Sequence, residues 1–205
     1  MFPTSRLGTT STLALPATSE SFAFFAEATR KGYLDKDVIF SINISADSFF
    51  SNDLVEFIAE NRKRLNVPAH NFCFEITESC AVRNLEATSK FVTELRKQGF
   101  SFSLDDFGKG FSSFPYLKTL PIDYVKIDGT FIKSIDKDYV DFSMVKSMRD
   151  MCYHLGLYTI GEYAENEQIV SILKDIGIDY GQGYAFQKPI PIEEAIKLQN
   201  DRNRI

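Results

Sequence analysis

Short apolar runs alternate along this chain with longer segments in which apolar residues recur every three or four positions. The short runs predict β-strands at residues 38–44, 72–77, 100–105, 124–127, 157–162 and 180–186. The longer segments predict amphipathic helices at residues 54–65, 87–98, 140–155 and 167–176. Repeated alternation of strand and helix is typical of a parallel sheet that is covered by helices.

The beginning of the chain departs from this alternation. Residues 3–21 are rich in Ser, Thr, Pro and Gly, which predicts a loop or tail, and a helical pattern then runs from Phe22 to about Gly32. We therefore expect a tail or linker over residues 1–21 and one domain over residues 22–200. Because a closed barrel of parallel strands has eight of them, the pattern predicts a TIM-like α/β barrel that is incomplete at its N-terminal side.

Polar side chains lie at the carboxyl ends of the predicted strands. Since alternate residues share one face of a strand, these side chains are expected to converge at the mouth where parallel barrels carry their active sites. Taken singly, each is better explained as a helix cap, a turn residue or a solvated charge. Together they predict an oxygen-ligand site for Mg²⁺ or Mn²⁺. The residues are Asn43, Glu75, Asp105, Lys126 and Glu162.

Composition excludes several other classes of protein. The net charge is −5 and no basic patch is evident, which argues against binding of polymeric nucleic acid. Three cysteines without CxxC spacing and two histidines argue against a disulfide framework and a zinc site. Since the chain shows neither a membrane-length apolar run nor a signal-peptide pattern, we expect a cytoplasmic domain without membrane contact of its own.

Six motifs, in order along residues 38–190, resemble those of the EAL family. Asp-Asp-Phe-Gly-Lys-Gly at 105–110, followed by Lys-Ile-Asp at 126–128, is the most specific part. The other four motifs are Ser-Ile-Asn-Ile-Ser around Asn43, Glu-Ile-Thr-Glu-Ser with Glu75 and Glu78, Gly-Glu-Tyr-Ala-Glu at 161–165, and Gln-Gly-Tyr from Gln182 with Lys188-Pro189 after it.

This resemblance implies a TIM-like barrel of EAL type that hydrolyses cyclic di-GMP to linear pGpG with two metal ions, Mg²⁺ or Mn²⁺. It also implies a homodimer. Lys126 and Glu162 would be the catalytic residues, with Lys126 steadying the developing negative charge. Glu78 would fasten the loop after Asp106, while Asp128, Glu165 and Gln182 would support or line the substrate site. The implied metal ligands are Asn43, Glu75, Asp105, Asp106 and Glu162.

The sequence departs from the family at two places. The Glu of the Glu-Ala-Leu motif, a metal ligand, is missing, and the segment 13–15, Leu-Ala-Leu, carries no carboxylate and lies too close to Asn43. Losing one ligand is expected to weaken the first metal site by one or two orders of magnitude. Tyr163 stands where the family usually has Gly and adds bulk at the mouth.

The missing ligand leaves two functions open. A phosphodiesterase is favoured by the retained Asn, Glu, Asp and Lys side chains. A non-hydrolytic receptor for cyclic di-GMP, or a protein-interaction module, is favoured by the missing Glu. A different metal-dependent barrel enzyme is disfavoured by the order of the motifs.

Overall fold

A computed structural model gives the structure of residues 6–9, 14–34, 37–44, 52–110 and 114–196. Two short 3₁₀ helices lie at Ala69–Asn71 and Phe114–Lys118. The strands are β1 (Arg6–Thr9), β2 (Ile39–Asn43), β3 (Phe72–Thr77), β4 (Ser101–Phe107), β5 (Tyr124–Ile127), β6 (Tyr158–Gly161) and β7 (Tyr180–Gly181). The helices are α1 (Ala14–Arg30), α2 (Asn52–Leu65), α3 (Glu78–Arg83), α4 (Leu85–Arg96), α5 (Gly129–Ile132), α6 (Tyr139–His154) and α7 (Glu167–Ile176).

The strands follow one another in the sheet in the order of the sequence, from β1 to β7. The pairs β1–β2, β2–β3, β4–β5, β5–β6 and β6–β7 are parallel. This arrangement confirms the predicted parallel α/β class. The described residues contain seven strands, against the eight of a closed TIM barrel.

The last predicted strand, at residues 180–186, is wrong beyond its second residue. Only Tyr180–Gly181 is a strand, and a turn follows it. Gly183 has a φ of 154°, and its carbonyl accepts bonds from the amides of Phe186 and Gln187 at 3.0 and 3.2 Å. The apolar residues of this segment therefore belong to a turn that sequence periodicity does not distinguish from a strand.

The interpretation of residues 3–21 as a loop or tail is also wrong where the structure describes them. Arg6–Thr9 pairs in parallel with β2, and α1 begins at Ala14 rather than at Phe22. Thr18 and Ser21 are buried, so residues that usually indicate a loop lie on the packed side of a helix. The proline at position 16 fits because the first turn of a helix needs no amide donor there.

The chain divides into two compact units. The phenylalanine unit comprises Ser5–Ile76, Glu86–Phe102 and Pro189–Ile205. The carboxylate unit comprises Met1–Thr4, Thr77–Leu85 and Ser103–Lys188.

Aromatic rings fill the core of the phenylalanine unit. Phe22 on α1 meets Phe72 on β3 edge to face, with ring centroids 4.4 Å apart, and stacks on Phe100 at 6.1 Å. Phe25, one turn further along the helix, meets Phe40 on β2 edge to face at 5.4 Å. These side chains are buried, and edge-to-face pairs add stabilisation beyond the burial of their area. Five of the 19 phenylalanines of the chain therefore pack together where α1 lies on the sheet.

We predict that Phe22→Ala lowers the free energy of unfolding by about 3–5 kcal/mol, because it leaves a cavity between α1 and β3. Phe24→Ala, on the same helix but only half-buried, is the matched control and should cost clearly less. Urea denaturation followed by circular dichroism measures both. Equal losses would contradict the placement of Phe22 in the core.

Candidate active site

Lys126 lies between two carboxylates at the ends of neighbouring strands. Its Nζ is 2.9 Å from Asp105 Oδ1 and 2.9 Å from Glu162 Oε1. Lys126 belongs to β5, Asp105 belongs to β4, and Glu162 directly follows β6, so three consecutive strands each supply one side chain. Lys126 is only 4% exposed. Its buried ammonium group is tolerated because two carboxylates compensate its charge.

An irregularity in β4 allows two adjacent aspartates to reach this region. In a regular strand, neighbouring side chains point to opposite faces of the sheet. Between Leu104 and Phe107, however, β4 has one residue more than β5, which is a β-bulge. Asp106 lies within it at a φ of 56°, and its amide donates to Asp105 Oδ1 at 3.0 Å. The bulge turns the Asp106 side chain away from the position that a regular strand would give it.

A second group of carboxylates lies beside the lysine. One oxygen from each of Asp106, Asp128 and Glu162 falls within 4.8 Å of the other two. The Nζ of Lys109 is 3.5 Å from Asp106 Oδ1 and 3.7 Å from Asp128 Oδ2, but this lysine is exposed. Three convergent carboxylate oxygens are the donor set that Mg²⁺ and Mn²⁺ prefer.

The pKa values of the two aspartates in this cluster move in opposite directions. Burial, followed by the negative charge of Asp105, raises the pKa of Asp106. Burial acts to raise the pKa of Asp128, but hydrogen bonds with Thr130 and Asp106, together with the charge of Lys109, outweigh it and lower the pKa overall. The Thr130 hydroxyl and amide donate to Asp128 Oδ1 at 2.5 and 2.8 Å. A divalent cation would relieve the crowding at Asp106, so the residues present fit one.

Glu78 holds the segment that follows β4. This glutamate is 3% exposed, and it accepts bonds from the Gly108 amide at 3.0 Å and from the Tyr116 hydroxyl at 2.6 Å. Gly108 has a φ of 96°, and a Cβ there would lie 2.8 Å from Phe131 Cε2, so a side chain at this position would be strained. Burial, followed by the hydrogen bond to Glu78, raises the pKa of Tyr116 well above its usual range.

This geometry supports the predicted role of Glu78 as the anchor of the loop, which stays a prediction for residues 111–113 because they lie outside the described residues.

Asn43 and Glu75 belong to the other unit, the phenylalanine unit. They are direct partners in the register of β2 and β3, and Glu75 is 7% exposed. The structure therefore places these two predicted ligands side by side. Their convergence with the ligands of the carboxylate unit stays a prediction.

Glu165 and Gln182, predicted to line the substrate site, are both exposed. The Gln182 amide donates to the Gly161 carbonyl at 2.9 Å, and its own carbonyl accepts from Ala164 at 3.0 Å. Gln182 is thereby joined to the segment that carries Glu162. The predicted substrate contacts of both side chains stay predictions.

Three residues of this region were missed by the sequence analysis. Thr130 stands two positions after Asp128, and this spacing of an N-cap aspartate and a threonine was a signal that could have revealed the bond. Lys109 lies within the Asp-Asp-Phe-Gly-Lys-Gly motif, but its side chain was given no role. Tyr116 carries no local sequence signal, because its partner Glu78 lies 38 residues earlier.

The first strand of the structure carries no acidic residue. β1 is Arg-Leu-Gly-Thr. Of the Leu-Ala-Leu segment, the second and third residues lie at the start of α1, and position 13 is outside the described residues. This segment is therefore not a strand-borne Glu-Ala-Leu motif.

The parallel sheet covered by helices makes this an α/β domain, and the carboxylates at its successive strand ends form a candidate site for a divalent cation. The EAL domain profile matches residues 2–189. The chain therefore belongs to the EAL domain family, as its motifs predicted.

Relatives and solved structures agree with this assignment. The chain is 45% identical over 157 residues to the cyclic di-GMP phosphodiesterase PdeB of Shewanella oneidensis, covering 77% of this chain and 18% of the relative. It is 42% identical over 154 residues to the cyclic di-GMP phosphodiesterase PdeA of Borreliella burgdorferi, covering 75% and 23%. The chain thus spans about a fifth of the length of these curated relatives.

Two solved structures show the same fold. The EAL domain of Mycobacterium smegmatis DcpA has a TM-score of 0.84 and 30% identity, covering 89% of this chain and 82% of that one. The PaMucR phosphodiesterase in complex with c-di-GMP has a TM-score of 0.81 and 29% identity, covering 87% and 71%. The predicted TIM-like fold of EAL type is confirmed. In the described part of the chain, no helix combines the length and apolar character needed to cross a bilayer.

We predict that Tyr116→Phe lowers the free energy of unfolding at pH 7 by about 1.5–3 kcal/mol, because a buried hydrogen bond to a carboxylate is lost. Tyr153→Phe, at an exposed tyrosine of α6, is the matched control and should have no measurable effect. Urea denaturation measures both.

The difference between wild type and Tyr116→Phe should narrow in alkali. The folded state holds the Tyr116 proton more tightly than the unfolded state, so its contribution is complete below a pH of about 10, the usual tyrosine pKa. Above that pH the wild type loses this contribution and the variant has none to lose. A constant difference up to pH 11 would contradict the assigned bond.

Proposed function

We propose that this chain hydrolyses cyclic di-GMP to linear pGpG in a reaction that uses two divalent cations, Mg²⁺ or Mn²⁺. The supporting observation is the buried lysine held between Asp105 and Glu162, beside a cluster of three carboxylates. The choice of cyclic di-GMP as substrate is supported by the relatives that are named cyclic di-GMP phosphodiesterases and by the PaMucR complex with c-di-GMP. The cations, when bound, would supply Lewis-acid activation and neutralise the charge of the phosphodiester.

The cation ligands proposed in the carboxylate unit are Asp105, Asp106 and Glu162, with Asp128 completing the cluster that the geometry brings together. Asn43 and Glu75, paired across β2 and β3, are proposed as further ligands. All of these side chains offer oxygen donors, which suit hard cations.

Lys126 is proposed to stabilise the developing charge on the phosphate. Its ammonium group is buried and fixed by two carboxylates, so it needs little reorganisation during the reaction. Glu162 is proposed to accept the proton of the attacking water as general base, since it lies at the strand end next to Lys126. Glu78 orders the segment after the bulge through Gly108 and Tyr116. Glu165 and Gln182 are proposed to contact the nucleotide.

We predict that this chain with Mn²⁺ forms pGpG, and that Glu162→Gln lowers the rate by about 100-fold to 10 000-fold, because a general base contributes that much. Glu167→Gln, the same change at an exposed glutamate of α7, is the matched control and should retain the rate. Chromatography of the nucleotides measures all three.

Intact cyclic di-GMP with the wild-type chain would contradict the hydrolytic function. A calorimetric titration would then identify the second candidate, a receptor that binds the nucleotide without cleaving it. That candidate is supported by the lack of an acidic residue in β1.

We also propose that the domain works in the cytoplasm as a homodimer. Four large apolar side chains of α6 are exposed, with Tyr139 at 80%, Val140 at 64%, Met144 at 39% and Tyr153 at 66%. Exposed apolar side chains grouped on one helix are typical of interaction surfaces. A second copy of this chain is the partner that the family resemblance implies.

We predict that Val140→Glu lowers the dimer fraction at least tenfold in sedimentation velocity, because a charge is placed on the proposed interface. Tyr33→Glu introduces the same charge at an exposed residue outside α6 and should leave the dimer intact. A wild-type chain that sediments as a monomer would contradict the proposed dimer.

A further inference from the structure

Tyr163, which directly follows Glu162, adopts a backbone conformation that tyrosine rarely takes. Its φ is 54°, in the left-handed region that favours glycine. Its side chain is 50% exposed, so burial alone does not hold it there. Strained residues of this kind persist where surrounding contacts fix them, and they concentrate at functional sites.

The contacts that fix Tyr163 are made by its ring. A Cβ placed on Gly129 would lie 2.0 Å from Tyr163 Cδ2 and 2.6 Å from Tyr163 Cγ, so the ring occupies the space of a side chain at position 129. The Nζ of Lys133 lies 4.1 Å from the centroid of the ring, a cation–π contact. The ring and Gly129 are therefore a complementary large and small pair.

This pair connects the segments that carry two of the clustered carboxylates. Gly129 directly follows Asp128 at the end of β5, and Tyr163 directly follows Glu162 at the end of β6. The backbone around Tyr163 is fixed as well, because the Glu162 amide donates to Ile127 at 3.3 Å. The ring on Gly129 therefore links the backbone next to Glu162 to the backbone next to Asp128.

We propose that Tyr163 is a positioning residue, whose ring packs on Gly129 and sets the spacing between Asp128 and Glu162 for a divalent cation. The inference rests on the proposed function only in assigning that cation. Tyr163 touches no reacting atom in this role and acts through the neighbouring glutamate.

The first test is Mn²⁺ binding without nucleotide, measured by isothermal titration calorimetry together with thermal unfolding. Tyr163→Gly should weaken Mn²⁺ binding about tenfold, as is typical when support of a ligand is lost. Its unfolding midpoint should change little, because relief of the backbone strain opposes the loss of packing. Tyr163→Phe should keep wild-type affinity, since its ring is retained. Tyr33→Gly, at an exposed tyrosine in the other unit, is the matched control.

The second test examines the pair itself. Gly129→Ala should also weaken Mn²⁺ binding about tenfold, because its Cβ displaces the ring. In the Tyr163→Gly background, the same Gly129→Ala change should weaken binding no further. In that background the space next to residue 129 no longer holds the Tyr163 ring, so the added methyl group displaces nothing.

The inference would be overturned if the losses of Mn²⁺ affinity in Tyr163→Gly and Gly129→Ala simply added in the double variant. Wild-type Mn²⁺ affinity in both single variants would also overturn it. So would a Tyr163→Gly variant whose unfolding midpoint falls while its Mn²⁺ affinity stays unchanged. Absence of Mn²⁺ binding by the wild type would overturn it too. Failure of the proposed function is a different result. It is seen as cyclic di-GMP that stays intact in the cleavage assay, whereas the Mn²⁺ titrations contain no nucleotide. Where cleavage occurs, Tyr163→Gly should lower kcat and leave KM unchanged.

Discussion

Crowding of negative charge around one buried ammonium group is the constraint on which the site depends. Lys126 offsets the charges of Asp105 and Glu162. Asp106 and Asp128 lie near the exposed Lys109, and Asp128 also accepts hydrogen bonds from Thr130. Four carboxylates against one buried cation leave an excess of negative charge, and burial makes that excess costly. Burial, followed by the charge of Asp105, raises the pKa of Asp106, which agrees with this crowding. A site of this composition is complementary to a divalent cation in a way that a solvated acidic surface is not.

Backbone strain in the carboxylate unit lies next to these charges. Two of its non-glycine residues, Asp106 and Tyr163, have positive φ values, and each adjoins a carboxylate that contacts Lys126. At Asp106 the strain is part of a bulge that re-aims a side chain. At Tyr163 it is compensated by ring packing on Gly129. At both positions a strained backbone conformation accompanies a carboxylate, and we propose that it helps to place that carboxylate.

The sequence predicts those features of the fold that depend on periodicity. β3 and β5 match their predicted bounds, because buried parallel strands are short apolar runs with clear ends. The helix predicted from Phe22 begins earlier, at Ala14, and this first part was missed because Thr18 and Ser21, which usually indicate loops, are buried in it. Composition alone does not show which side of a helix a polar residue occupies, and tertiary packing overrides local propensity there.

The candidate site divides along the same line. Motif order predicted the acidic residues and Lys126 as site residues, and the structure brings Asp105, Lys126 and Glu162 together at strand ends, while their roles stay predictions. The bulge at Asp105 and Asp106 was not predicted, although two adjacent acidic residues that serve one site require an irregular strand. The bond from Tyr116 to Glu78 was beyond reach, because it joins residues far apart in the chain.

The missing first-strand glutamate is expected to affect one group of proposed ligands, Asn43 and Glu75, more than the cluster of carboxylates around Asp106. The cluster of Asp106, Asp128 and Glu162 lies wholly in the carboxylate unit, whereas β1 belongs to the phenylalanine unit. β1 instead pairs with β2, the strand that carries Asn43. Loss of a ligand there is expected to weaken a cation held by Asn43 and Glu75 while leaving the other group intact. On the proposed assignment of ligands, the enzyme and receptor hypotheses differ in whether Asn43 and Glu75 hold a cation, and the retained Lys126 and Glu162 are consistent with either.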